Sequence, residues 1–311
     1  MKQIPFFIVD SFTDTPFQGN PAGVFFDREG VLSDDEMRHL AGEVHLESAF
    51  VLPAHREDSS RADFRLRYFT GVCEVPLCGH ATIAALTVLH EKGNLQPGQP
   101  QQAATLAGVL AVGITPEGEA TLRQRMPDFG KPLSTAEGQE VTDALGLDRG
   151  SAGHPNLPIQ AVSTGTPWLL VPVRSRAHVD QSPTDFGAIN RLSDKHGTFG
   201  FYVFVLDASP PAQSEDNNIS VWSRCYAPKA GLNEDPVTGS ASGALGGYLA
   251  HHGVLPLAPG TETGFTIRQG FGGGRGGQVA VRVGRGDDGQ ITPVTIQGRA
   301  VILSEGLFTL P

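Results

Sequence analysis

Two segments of this chain, 160 residues apart, carry the same residue types in the same order, and that duplication limits the fold more than any other feature. Glu74-Val75-Pro76-Leu77-Cys78-Gly79-His80-Ala81 and Glu234-Asp235-Pro236-Val237-Thr238-Gly239-Ser240-Ala241 share their Glu, Pro, Gly and Ala. The same offset pairs Ala84 with Ala244, Leu89 with Leu249, Gly93 with Gly253 and Leu95 with Leu255, so eight of 22 aligned positions are identical. Solenoid units repeat every few tens of residues, so a period this long implies two related half-molecules. Two such halves are expected to enclose a cleft.

The segments that follow the copies predict buried helices. Ala81, Ile83, Ala84, Ala85, Leu86, Val88 and Leu89 leave no polar face at helical spacing, and Gly93 is placed to end the helix. The counterpart runs from Ala241 through Leu245, Tyr248 and Ala250 to Gly253. Strands are expected at Ile4 to Asp10, Ala22 to Phe26, Phe50 to Leu52, at the alternating Phe64, Leu66 and Tyr68, and at Val279 to Val283. Ser33 followed by Asp34, Asp35 and Glu36 reads as a helix start, with Glu47 just beyond that helix at the head of a strand. The expected class is α+β, with two domains in each of which a curved sheet wraps a central helix. Pro127, Asp128 and Gly130 suggest a polar turn between the domains, near Met126 to Lys131.

Composition excludes several functions. A formal net charge of -10 argues against a nucleic-acid partner, which would call for concentrated Lys and Arg, and leaves a small molecule. Three cysteines give no disulfide framework and suit a reducing compartment. The apolar run Phe6 to Val9 is too brief for a signal peptide, no membrane association is expected, and the reading is cytoplasmic. Cys73, Cys78 and His80 lack the paired spacing of a metal site, so none is expected. The glycine run Gly270 to Gly277 lacks a Lys-Ser/Thr ending and precedes a strand, which disfavours a nucleotide site and suits a hairpin or loop. No Gly-x-Ser-x-Gly elbow supports a hydrolase.

A buried helix begins with unpaired backbone N–H groups and the positive end of its dipole. Gly79-His80-Ala81 and Gly239-Ser240-Ala241 are two such beginnings, so a carboxylate or similar oxyanion is the expected ligand.

Four blocks then carry a family resemblance: Asp10-Ser11-Phe12 with Gly19-Asn20-Pro21-Ala22, Glu47-Ser48-Ala49-Phe50, Pro76 to Thr82, and Glu234 to Ala241. Gln269-Gly270 with Gly274-Arg275 forms a weaker fifth. In type and order they resemble the PhzF-like isomerases of phenazine biosynthesis. The resemblance implies a diaminopimelate-epimerase-like fold, a homodimer, and a cofactor-free active site in the cleft between two pseudo-symmetric domains. These would be residues 1–127, completed by a C-terminal strand from 296–311, and residues 128–295.

It also implies roles. Glu47 matches the glutamate that takes a proton from one substrate carbon and returns it to another. His80 matches the histidine of the Gly-His-x-Thr block, and Asp235 and Ser240 match polar groups that orient His80 or the substrate. Asn20, Gly79, Gly239, Cys78 and Thr238 are expected to line the substrate site. Cys78 stands where diaminopimelate epimerases carry one catalytic thiol, but the repeat supplies Thr238, not cysteine, on the other side. A two-thiol racemase is therefore disfavoured, and Cys78 is expected mainly as a small, half-buried apolar side chain. Gly276-Gly277 departs from the Pro-Ser that usually continues the fifth block. An epimerase, or a binding protein that kept the cleft without the chemistry, remains the alternative to an isomerase.

Overall fold

The computed structural model describes residues 1–54, 62–154, 156–181, 185–207, 219–271 and 274–311, so Gly272 and Gly273 of the glycine run lie outside the described residues. The chain divides into two units, Met1–Arg123 with Gln297–Pro311, and Gln124–Ile296. The first contains β1 (Lys2–Ser11), β2 (Asn20–Phe26), α1 (Asp34–Val44), β3 (Ser48–Pro53), β4 (Phe64–Phe69), β5 (Glu74–Val75), α2 (Gly79–Glu91), β6 (Gln101–Thr105), β7 (Gly108–Ile114) and β8 (Ala120–Arg123). The second contains β9 (Asp128–Pro132), α3 (Thr135–Ala144), β10 (Gln160–Ser163), β11 (Pro167–Pro172), α4 (Arg176–Asp180), α5 (Phe186–Lys195), β12 (Phe201–Asp207), β13 (Ser220–Ala227), β14 (Leu232–Asp235), α6 (Gly239–His251), β15 (Thr261–Gln269) and β16 (Gly277–Arg285). Strand β17 (Thr295–Gly298) then leads to β18 (Ala300–Leu310), which pairs antiparallel with β1.

The sequence repeat is a repeat of topology. In the first unit β1 and β2 are antiparallel, β2 and β3 parallel across α1, β3 and β4 antiparallel, β4 and β6 parallel across α2, and β6 and β7 antiparallel. In the second, β10 to β13, β15 and β16 follow the same succession, with α5 and α6 as the two crossovers. Short β5 and β14 pair with β4 and β13 at matching places, just before each central helix.

Both central helices are buried, as their composition predicts. His80 to Leu89 of α2 and Ala241 to Ala250 of α6 expose almost nothing. In the first unit the sheet curls round α2, which packs on β1, β2, β3, β7, β8 and β18; α6 packs on β10, β11 and β16. Each fully buried Leu, Ile or Val contributes roughly 1.5–3 kcal/mol, so these helices are held by tertiary burial and not by helical propensity. Beyond them the chain turns at Gly93 (φ 76°) and Gly253 (φ 70°), a left-handed conformation that glycine adopts without a Cβ penalty.

Helix α1 begins with the expected cap, in which Ser33 and Glu36 bond each other's backbone reciprocally. Its Met37, Leu40 and Ala41 cover Ile4, Phe25, Phe50 and Phe69 on the sheet, where the Phe25 and Phe50 rings stack 4.7 Å apart. In the second unit α3 and α5 contribute Val141, Ala144, Ile189 and Leu192 to a cluster with Leu169, Val171, Phe201 and Val203. The turn expected around Asp128 and Gly130 is instead strand β9: its backbone pairs with β10, and Phe129 stacks on His251 with centroids 4.3 Å apart. Among the described residues, no helix is long and apolar enough to cross a membrane.

Candidate active site

Glu47 sits between α1 and β3. His45 caps α1 in a left-handed conformation (φ 54°), and the Glu47 carbonyl accepts from Gly23 N at 3.2 Å, which fixes its backbone against β2. Cys78 is the N-cap of α2, with Gly79 first and His80 second in the helix. Their side chains converge. The Cys78 thiol donates to Glu47 Oε2 at 3.4 Å, and Sγ lies 3.5 Å from His80 Nδ1 and 3.7 Å from Nε2. His80 Nε2 lies 3.5 Å from the same Glu47 oxygen. Cys78 and His80 are largely buried, whereas the Glu47 side chain is 38% exposed, so the carboxylate is the member open to a ligand.

Cys78 is thus more than apolar lining, because its sulfur is hydrogen-bonded within a polar triad. The chain enters the helix in extended conformation at Cys78 (φ -134°, ψ 112°). Donor atoms of Glu47, Cys78 and His80 all lie within 4.8 Å of one another, the one such grouping of three among the described residues. Cys73, also considered as a ligand, is exposed, with its sulfur 3.9 Å from Thr70 Oγ1.

Buried polar groups hold this helix start in place. Ser11 Oγ donates to the His80 carbonyl at 2.8 Å, and Thr82 Oγ1 donates to the Cys78 carbonyl at 2.7 Å. With its proton so committed, Thr82 accepts from the Tyr68 phenol at 2.7 Å. Burial pushes the Tyr68 phenol far up, which keeps it a donor. Asn20 opens β2, buried, with its backbone paired to Ser11, and Phe17 N donates to the buried Asp10 carboxylate at 2.7 Å. The Cys78 side chain makes no cap hydrogen bond to α2, and the N–H groups of the helix's first turn are directed at whatever lies before it.

The second unit repeats this construction with other chemistry. Thr238 is the N-cap of α6, and its hydroxyl donates to Asp235 Oδ2 at 2.6 Å. Gln269, fully buried at the end of β15, accepts from Thr238 N at 3.0 Å and donates to the Asp235 carbonyl and Thr238 Oγ1 at 2.9 Å each. Gly239 and Ser240 are the first two residues of the helix, and Trp168 Nε1 donates to Ser240 Oγ at 3.0 Å. Ser242 Oγ donates to the Thr238 carbonyl at 2.9 Å and meets the Tyr202 phenol at 3.1 Å, as Thr82 does with Tyr68. Neither tyrosine, nor Trp168, nor the support given by Gln269 follows from local sequence. The one available signal is that Gln269 belongs to the fifth block and Tyr68 to an alternating strand.

The Glu shared by the repeat has a structural task in both units. Arg67 donates through Nε and Nη2 to Glu74, at 2.7 and 2.6 Å, and Arg224 donates to Glu234 at the same two distances. Each bidentate pair clasps the strand pair that delivers the chain to its central helix.

The model of the family described as phenazine biosynthesis-like protein matches residues 9–306. A protein named uncharacterized isomerase YddE, from Escherichia coli strain K12, is 38% identical over 306 residues, 95% of each chain. The crystal structure of a phenazine biosynthesis protein of the PhzF family from Bacillus anthracis superposes with a TM-score of 0.83 at 29% identity, covering 100% of both chains. A hydroxyproline epimerase from Agrobacterium vitis shares the fold alone, with a TM-score of 0.61 at 16% identity over 99% of this chain and 91% of that one. With its duplicated sheet-and-helix units and its Gly-His-x-Thr helix start, the chain has the diaminopimelate-epimerase-like fold and belongs to the phenazine biosynthesis-like (PhzF) family.

Proposed function

We propose that this chain is a cofactor-independent isomerase in which Glu47 moves a proton between two carbons of a small, carboxylate-bearing substrate. The observation that carries the reading is the Glu47 carboxylate, partly open and held 3.4–3.5 Å from the Cys78 thiol and His80 imidazole at the start of a buried helix. In this mechanism the C–H bond breaks to Glu47, its electron pair spreads into the substrate's conjugated system, and the same proton is delivered to another carbon. His80 hydrogen-bonds the carboxyl group or the developing anion, and the first-turn N–H groups at Gly79 and His80 receive the substrate carboxylate. Asn20 and Cys78 line the substrate. In the second unit Thr238 and Gly239 form the equivalent helix entry, with Asp235 and Ser240 as polar partners for orientation. A cytoplasmic location suits a reduced thiol at this position.

The names of the curated relatives support an isomerase, and the unmatched pair Cys78 and Thr238 disfavours two-thiol epimerisation. Incubation of candidate unsaturated carboxylates in heavy water tests the reading. Double-bond migration dependent on Glu47 is expected, with Glu47→Gln slowing turnover by about 10²–10⁴-fold while substrate still binds. Exchange with inversion at one carbon would indicate an epimerase, and ligand binding without exchange would indicate a binding protein. Full activity of Glu47→Gln would remove the glutamate from the chemistry.

A further inference from the structure

Glu47, Cys78 and His80 form a triangle whose sides are informative. Cys78 Sγ to Glu47 Oε2 is 3.4 Å, Glu47 Oε2 to His80 Nε2 is 3.5 Å, and His80 Nε2 to Cys78 Sγ is 3.7 Å. A tetrahedral zinc-class ion bound by sulfur at about 2.3 Å and by nitrogen and oxygen at about 2.0–2.1 Å separates its ligand atoms by about 3.3–3.6 Å. The side chains therefore already stand close to the spacing that such an ion imposes. Carboxylate, imidazole and thiolate are one hard, one borderline and one soft donor, a set that suits Zn²⁺, Cd²⁺ or Co²⁺ and not Ca²⁺ or Mg²⁺.

The scaffold fixes two of the three donors. Cys78 and His80 sit two residues apart on the first turn of a buried helix whose carbonyls are tied down by Thr82 and Ser11. Glu47 comes from a separate element, the entry to β3, and its greater exposure gives an ion a route in. Three protein ligands leave a fourth position for solvent, the arrangement of an open site.

We infer that Glu47, Cys78 and His80 form a binding site for a zinc-class divalent cation. Binding exchanges the S–H proton of Cys78, released to solvent, for an S–metal bond. Because the ion takes the Glu47 carboxylate as a ligand, it also blocks proton abstraction; this inhibitory consequence rests on the role proposed for Glu47, whereas the binding itself does not.

The test is titration of the full-length, chelator-treated chain with Cd²⁺, following the ultraviolet thiolate-to-cadmium charge-transfer band, and with Zn²⁺ by calorimetry. One ion per chain is expected. Cys78→Ser should abolish the band and weaken Zn²⁺ at least about 100-fold, since even the outer partners of metal ligands are worth 10–100-fold. His80→Gln should weaken binding yet keep the band, and Cys73→Ser should change neither; circular dichroism checks that each variant is folded. Absence of a band in the wild type, or a band that survives Cys78→Ser or disappears in Cys73→Ser, overturns the inference. Zn²⁺ that binds at this site but leaves substrate proton exchange intact upholds the metal site and refutes the role of Glu47. Failure to bind refutes the metal site and leaves that role standing.

Discussion

Arg67 and Glu74 are joined by two parallel hydrogen bonds, and Arg224 and Glu234 repeat the arrangement in the other unit. The carboxylates raise the pKa of both guanidinium groups, against the opposing effect of burial. Glu74→Gln and Glu234→Gln should each destabilise the fold by roughly 1–3 kcal/mol, the usual worth of hydrogen bonds to charged groups. The second should cost more, because the Arg224 side chain is 7% exposed against 14% for Arg67. Urea denaturation of the two variants decides the order.

The tyrosines beneath the helix starts differ in what they leave behind. Tyr68→Phe removes one hydrogen bond to Thr82, which still donates to Cys78, so a loss of about 1 kcal/mol is expected. Tyr202→Phe removes the partner of both Ser242 and Ser223, and Ser223 retains only a 3.4 Å contact to the Arg268 carbonyl. It should cost about 2 kcal/mol, and equal losses in the two variants would contradict this account.

Acid stability should depend on Glu36. Hydrogen bonding to Lys2, aided by the Ser33 N–H, lowers its carboxyl from the ordinary 4.5 to about 2. Its folded-state pKa is depressed, so its contribution is complete above pH 4.5 and is lost as pH falls towards 2. The side chain is 30% exposed, so solvent and salt weaken the effect. Glu36→Gln should flatten the stability profile in this pH window at low salt, and the difference from wild type should shrink at high salt.

If His80 assists Glu47, then His80→Asn should lower kcat by about 10–100-fold with a smaller change in KM. Its main-chain bond from Ser11 is unaffected by the substitution, so melting should shift little. A variant with unchanged kcat would leave the imidazole without a catalytic part.

The duplication and both buried helices were legible because each depends on local pattern, whereas Glu47 and His80 entered the candidate site through the family resemblance and not through any signal that their side chains meet. Cys78 was read as apolar lining because sequence cannot show that a residue 31 positions upstream brings its carboxylate within 3.4 Å of the sulfur. Strand β9 was misread as a turn for a related reason. Asp128 and Gly130 carry turn-forming residue types, but pairing with β10 and the stacking of Phe129 on His251 outweigh them. The matching arginines could not be foreseen either, since they lie outside the aligned repeat and meet their glutamates only across a strand pair.

Tyr68 and Tyr202 reach equivalent helix residues, Thr82 and Ser242, from non-equivalent strands. Within the facing pairs, Ala49 opposes Tyr68 in one half, and Tyr202 opposes Cys225 in the other. Whatever ancestor was doubled, its descendants have exchanged a large and a small residue across the same strand pair and are no longer spare parts for each other. Grafting β4 of the first half over β13 would crowd two phenols against one serine, and the reverse graft would leave the threonine with none. Recombination between the halves is thereby penalised, so the duplication is locked into asymmetry by core packing as well as by its chemistry.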